Sequence, residues 1–230
     1  MEAIDVAAIS GDGVQLVTAD EQTAGRGQRG TRWESETARN LTFNFAFRPK
    51  NIRAQTQFLL SEITCLAVAR TLEAYCEYIT VKWPNDVYYH DQKICGMLLE
   101  HTLCGAEVAT TLVGIGINVN QQSFLSDAPN PVSLRQILGR ETSRIEVLAA
   151  FVAHFESLYA QLQKGETAAI EEAYRAQLYR REGFYDYQDT TTGERFSAEL
   201  VGVAPNGLLT LRTTDGEIRT FAFKEIKFIL

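Results

Sequence analysis

No cysteine pair, no histidine cluster and no long apolar run marks this 230-residue sequence, and each absence removes a class of protein. Cys65, Cys76, Cys95 and Cys104 form no C-x-x-C, and His90, His101 and His154 keep no ligand spacing with them, which argues against a zinc site. Cys65, Cys76 and Cys95 lie in apolar stretches and read as buried thiols of a reducing compartment. No apolar stretch approaches the roughly 18–20 residues of a membrane span. The N-terminus "MEAIDVAAISGDG" lacks the basic and apolar regions of a signal peptide. Basic residues are in deficit: 22 Lys and Arg against 29 Asp and Glu leave a formal net charge of −7. General nucleic-acid binding needs a broad positive surface instead. These absences predict a cytoplasmic protein without a membrane or nucleic-acid partner and without a metal held by its own side chains.

What is present is ordinary globular composition, with 45% hydrophobic and 22% charged residues, in a chain long enough for a main domain and a small one. "VQLVTAD" (14–20) and "LTFNFAF" (41–47) read as strands. Gln55 to Tyr78 reads as a helix, apolar on more than one face. "YITVKWPNDVYYH" is strand, turn, strand, and "KICGMLLEH" and "AEVATTLVGIGINVN" are two further strands. Ile145, Leu148, Val152, Phe155, Tyr159 and Leu162 predict an amphipathic helix, and Ile170, Tyr174 and Leu178 another. Beyond Arg181 the texture is short β runs broken by "PNG" (205–207) and "TDGE" (214–217), both hairpin signals. Strands first, helices next and a β module last predict an α+β fold.

Four segments carry chemical interest. "DEQTAGRGQRGTRW" (20–33) packs three glycines and three arginines into a loop of an acidic protein. It fits neither usual nucleotide fingerprint, because a strand and not a helix follows it. Glycines allow close approach of backbone N–H groups to an anion, and arginine offers bidentate contacts to phosphate or carboxylate; a solvated turn is the alternative. In "VKWPND" (81–86), Lys82 at a strand end supplies a compact positive charge or is a snorkelling surface lysine. In "KICGMLLE" (93–100), Gly96 inside a strand marks close approach by backbone or ligand, while Lys93 points to solvent or to the same place. In "VGIGINVN" (113–120), alternation puts Ile115, Ile117 and Val119 on a core face. Gly114, Gly116, Asn118 and Asn120 fall on the other, a shallow floor on which something flat can lie.

Taken in order, "GRGQRGTRW", "KWPND", "KICGMLLE" and "VGIGINVN" resemble the catalytic domain of the biotin protein ligases, relatives of class II aminoacyl-tRNA synthetases and lipoate ligases. The resemblance implies a mixed β-sheet packed with helices over residues 1–181 and a small SH3-like β-barrel over 184–230. It implies formation of biotinyl-5′-AMP from ATP and biotin with Mg²⁺, then transfer of biotin to a lysine of a biotin carboxyl carrier protein. It assigns Lys82 and Arg26 to catalysis, with Lys82 ranked first. Gln22, Gly25, Arg26, Lys82, Gly96 and Met97 would contact biotin. Arg29, Trp33, Lys93, Gly116 and Asn118 would contact the nucleotide. It leaves a homodimer through the sheet open, and with no helix-turn-helix ahead of the catalytic region it implies a form without a DNA-binding domain.

One departure concerns biotin itself. The family carries Ser-Thr-Asn about 25 residues before the glycine loop, and nothing between Met1 and Gly25 reads so. The expectation is that the motif lies upstream and that Met1 is an internal methionine; a stop codon immediately upstream would exclude this.

Overall fold

The structure, a computed structural model, describes residues 4–5, 8–9, 11, 13–22, 33–125 and 130–229. Strands β1 (Val14–Ala19), β2 (Leu41–Phe47), β3 (Ile79–Lys82), β4 (Asp86–Tyr89), β5 (Gln92–Cys104) and β6 (Glu107–Ile117) form one antiparallel sheet in the order β1-β2-β6-β5-β4-β3. The β2 sequence shows why one face is buried. Its period-2 phenylalanines, Phe43, Phe45 and Phe47, all point the same way. They meet Phe151, Phe155 and Tyr159 of helix α3 (Arg144–Gln163) edge-on, with ring centroids 5.0, 4.9 and 5.3 Å apart. Each such aromatic pair is worth about 0.5–1.5 kcal/mol beyond its buried area.

Helix α1 (Phe58–Glu73) packs beside α3 and against β3 and β4, and from Phe58 to Leu72 only Arg70 escapes burial. It is shorter than the Gln55–Tyr78 expected. A 3₁₀ turn (Ala54–Thr56) precedes it, and Tyr78 has left the helix with φ +60°. In α3 the buried stripe is Val147, Leu148, Phe151, Phe155, Leu158 and Leu162, whereas Ile145 is 70% exposed. The stripe is rotated because β2's rings choose Phe151 and Phe155 as their partners. A short helix α2 (Leu134–Leu138), unforeseen in the sequence, is closed by a capping box of Ser133 and Gln136 and by Gly139 at φ +70°. Helix α4 (Thr167–Gln177) buries Ile170 and Tyr174, and the chain leaving it covers the β3 edge through Tyr179 N–H to Val81 O, 2.8 Å.

The remaining strands, β7 (Phe184–Asp189), β8 (Arg195–Val203), β9 (Leu209–Thr213), β10 (Ile218–Phe221) and β11 (Ile226–Phe228), form a second antiparallel sheet in the order β10-β9-β8-β7-β11. Among the described residues no ladder joins β10 to β11, so the strands do not close into a hydrogen-bonded barrel. These two edge strands are nevertheless joined by a single tight turn, Glu225 N–H to Ala222 O at 3.1 Å. Five flat strands would hold their edges about 19 Å apart, so the sheet is strongly curled. A register shift at Leu200/Gly202 in β8 assists the curl. The described residues therefore have the α+β architecture expected.

Candidate active site

One cross-strand row organises the sheet face opposite the helices. Ala19 pairs with Thr42, Thr42 with Gly116, Gly116 with Gly96, Gly96 with Asp86, and Asp86 with Lys82. Directly opposed residues of antiparallel strands share a face, so these side chains line one strip. At the ordinary strand spacing, Gly116 and Lys82 lie about 14 Å apart along it.

The two glycines form the floor of this strip, and a flat ring lies on it. A Cβ at Gly96 would come 3.0 Å from Cζ3 of Trp33, and a Cβ at Gly116 would have three indole atoms within 2.7 Å. Trp33 is held there by the segment after it. Glu36 N–H donates to Gln121 Oε1 (3.0 Å), and Gln121 Nε2 donates to Glu34 Oε1 (3.0 Å). These bonds pin the base of the glycine/arginine loop to the chain beyond β6. Gly25, Arg26 and Arg29 themselves lie outside the described residues.

Lys93 joins the floor through an irregularity that alternation does not anticipate. Val87 pairs with Cys95 and Tyr88 with Lys93, leaving Ile94 as an extra residue in β5. This bulge puts Lys93 on the same face as Gly96, although they are three positions apart in the chain. Its Cε and Nζ would lie 3.1 Å from a Cβ at Gly96, and its Nζ stands 5.8 Å over the Trp33 ring. It also makes an ion pair with Asp86 Oδ1 at 2.7 Å. The backbone of Lys93 is clamped by the loop before α2: its N–H donates to Asn130 O (2.8 Å) and its carbonyl accepts from Val132 N–H (3.0 Å). Asn118 supports the clamp by donating Nδ2–H to Val132 O at 3.0 Å.

Lys82 ends the row on the β3 edge. Its Nζ donates to Tyr88 Oη (3.0 Å) and stands 4.8 Å over the Tyr88 ring and 5.2 Å over that of Phe228 in β11. Burial lowers its pKa, the positive charges of Lys93 and Arg180 lower it further, and Asp86 opposes them. Asp86, Tyr88 and Arg180 belong to this cluster without having been singled out in the sequence. Asp86 was legible only as part of a turn, and its role as cross-strand partner of Gly96 depends on register.

The structure does not bring the Met97 side chain to this face. Met97 pairs with Ile115 and is buried with it on the helix side. Its backbone is occupied by Asn85, whose carbonyl accepts Met97 N–H (3.1 Å) and whose Nδ2 donates to Met97 O. Trp83, across a cis peptide from Pro84, turns its indole toward the second sheet and donates to Gly207 O at 3.0 Å. A cleft of about 320 Å³ opens beside it, lined among others by Phe58, Ser61, Asn85 and His101.

Among the described residues, Gln22 Oε1, Trp33 Nε1 and Asn118 Oδ1 are buried without hydrogen-bond partners. Buried polar atoms are normally paired, so these are groups able to receive a polar ligand. Flat apolar floor, two lysines, one carboxylate and spare polar atoms suit a ring-bearing anion.

Residues 11–118 match the biotin/lipoate A/B protein ligase family. The chain is similar to a biotin–[acetyl-CoA-carboxylase] ligase of Paracoccus denitrificans, 33% identical over 211 residues, covering 89% of this chain and 86% of the relative. It is 30% identical over 207 residues to the bifunctional ligase/repressor BirA of Bacillus spizizenii, covering 87% of this chain but only 62% of that protein's length. Among solved structures it resembles the biotin protein ligase of Aquifex aeolicus in complex with biotin and ATP. That similarity has a TM-score of 0.75 and 27% identity, over 92% of this chain and 87% of the other.

Proposed function

Because this chain belongs to the biotin/lipoate A/B protein ligase family, we propose that it activates biotin with ATP and transfers the biotinyl group to a lysine of a biotin carboxyl carrier protein. The observation that carries the reading is the row on one sheet face where a ring-sized glycine floor meets Asp86 and two lysines. In the first step a biotin carboxylate oxygen attacks the α-phosphorus of ATP. The bond from that phosphorus to the bridging oxygen breaks, and pyrophosphate leaves with the electron pair. In the second step the amine of the acceptor lysine attacks the acyl carbon, AMP leaves, and the amine loses its proton.

These steps need alignment, charge neutralisation and exclusion of water more than a side-chain nucleophile. Gly96 and Gly116 let a planar group approach the backbone, and Gln22 and Asn118 offer spare acceptors. Lys82, ranked first by the resemblance, is assigned to the biotin carboxylate and the α-phosphate, and Lys93, which stands against the floor and over Trp33, to the nucleotide. Arg26 and Arg29, which lie outside the described residues, are assigned to the same anions. Met97 contributes by holding the Asn85 turn against β5. Trp33 occupies the floor itself, so ligand entry requires its indole to yield the place and wall the nucleotide instead.

Among the described residues no three His, Cys, Asp or Glu side chains gather into a metal cage. Asp86 is the carboxylate of the row, which suits Mg²⁺ held by one carboxylate and substrate phosphates. There the ion would supply neutralisation of phosphate charge.

The same reading takes residues 1–181 as the catalytic domain and 184–230 as a small SH3-like barrel. Support comes from the curl of the second sheet and its ring column, Tyr187 on Phe228 at 5.0 Å and Phe196 on Phe221 at 5.9 Å. A cytoplasmic site of action agrees with free cysteines at 65, 76, 95 and 104. Incubation with ATP, Mg²⁺, biotin and an acceptor domain should place one biotin on one lysine, read by mass spectrometry. Transfer of lipoate without transfer of biotin would overturn the reading.

A further inference from the structure

Gln121, just beyond the end of β6, is 1% exposed, and its side-chain amide is fully committed. Its Oε1 accepts from Glu36 N–H (3.0 Å) and from Asn40 Nδ2 (2.6 Å). Its Nε2 donates to Glu34 Oε1 (3.0 Å) and to Ser123 O (2.9 Å). A primary amide has two acceptor sites and two donors, so none is left for a substrate. What Gln121 does for the reaction it does through its neighbours.

Those neighbours reach both sides of the glycine floor. One peptide bond separates Glu34 from Trp33, whose indole lies against Gly116. On the other side, Gln121 O accepts from Ser133 Oγ at 2.6 Å, and that hydroxyl caps α2. The adjacent Val132 N–H holds Lys93 O, and Leu134 N–H and Arg135 N–H tie the start of α2 back to Asn118 O (3.1 Å) and Val119 O (2.9 Å). Gln121 is thus where the strap carrying Trp33 meets the clamp holding Lys93. A fixed meeting point matters because the indole covers the floor and a ligand must displace it. With Glu34 and Glu36 pinned, the ring can swing only about its own residue and stays beside the ligand it admits.

We propose that Gln121 is a positioning residue whose bond to Glu34 keeps Trp33 at the rim of the floor opposite Lys93, and so retains biotinyl-5′-AMP until the acceptor lysine arrives. The inference rests on the ligase reading above. A mixed anhydride that escapes early is lost to water, which retention in a closed site prevents. The pairing is specific in charge. Gln121→Glu sets a second carboxylate against that of Glu34, where like charges repel. Combining Gln121→Glu with Glu34→Gln reverses donor and acceptor across the same gap. The double exchange leaves the net charge unchanged and keeps the acceptor for Glu36 N–H and Asn40, giving up only the bond to Ser123 O.

The test follows dissociation of bound biotinyl-5′-AMP, the KM for biotin, and tryptophan emission of the free protein. Wild type, Gln121→Glu, Glu34→Ala and the double exchange are compared. Gln121→Glu should release the adenylate about 10- to 100-fold faster, with the KM for biotin little changed. Its emission should shift, and the shift should vanish in a Trp33→Phe background. Glu34→Ala should reproduce the faster release while leaving three of the four Gln121 bonds in place, so the comparison survives poor folding of Gln121→Glu. The double exchange should recover most of the loss, which a merely structural glutamine would not allow. Wild-type release rates in Gln121→Glu and Glu34→Ala would overturn the proposal, and so would a double exchange no better than Gln121→Glu alone. Failure of the wild type to form adenylate from ATP and biotin would overturn the ligase reading instead; the emission shift and its recovery would still decide whether Gln121 holds Trp33.

Discussion

The two faces of β6 share one backbone and have opposite character. Toward the helices, Ile115 and Ile117 join Phe43 and Leu41 in a dry core sealed by Phe151 and Phe155. Toward the other side, Gly116 presents bare backbone to an indole, with buried unpaired atoms on Trp33 and Asn118 nearby. The first face is satisfied without a ligand and the second is not. Stability and function are thus separated by the period-2 geometry of a strand, so substitutions on alternate residues should fail in different ways.

The largest effect is expected on the core face. Phe151→Ala removes a ring that is 1% exposed and contacts both Phe43 and Phe45. It should cost about 3–5 kcal/mol of stability, measured by denaturant unfolding, while the remaining folded protein keeps its KM for ATP. On the other face, Gly116→Ala drives a methyl into the Trp33 indole. Adenylation should fall by about 100-fold, some 2.7 kcal/mol, with the unfolding midpoint nearly unmoved and the tryptophan emission shifted. An equal loss of stability in both variants would break the comparison.

Smaller effects sharpen it. Lys82→Met keeps the aliphatic stem against Tyr88 and Phe228 and deletes a charge that burial disfavours. Pyrophosphate exchange should drop about 10- to 100-fold, while Tm stays level or rises. The smallest effect on turnover belongs to Glu62 of α1, which is 3% exposed with Oε2 unpaired. Burial, with Glu171 adding to it, raises its carboxyl pKa to about 8. The folded protein therefore holds a proton that the unfolded chain has released between about pH 4.5 and 8, and stability falls across that window as pH rises. Glu62→Gln should flatten this decline in Tm between pH 5 and 8 and leave the KM values alone. A decline of the same slope in Glu62→Gln would assign it to other groups.

Much of the frame was legible in advance. The strands from Leu41 to Phe47 and from Glu107 to Ile117 follow from alternation, and the hairpins at Asn206–Gly207 and Asp215–Gly216 follow from turn chemistry. The floor formed by Gly96 and Gly116 was legible as a place for something flat, because glycine inside a strand has few other uses. That the flat group lying there is Trp33, from the base of the glycine/arginine loop, was not. The side on which Lys93 lies escaped too, since a single extra residue at Ile94 reverses what alternation implies. Ile145 was mistaken for a core residue because a helix with apolar residues on several sides does not announce which stripe its partner will choose.

Sequence alone determined the α+β class, the core face of β6, and the four segments in which anion-binding residues and glycines concentrate. These depend on local periodicity and composition, which a chain carries wherever it goes. Tertiary structure alone decided that Ala19, Thr42, Gly116, Gly96, Asp86 and Lys82 form one row, and that Arg180, from the segment between α4 and β7, adds to the charges acting on Lys82. The physical reason is that register, bulges and sheet curl are settled by contacts between residues far apart in the chain, and no local pattern records them.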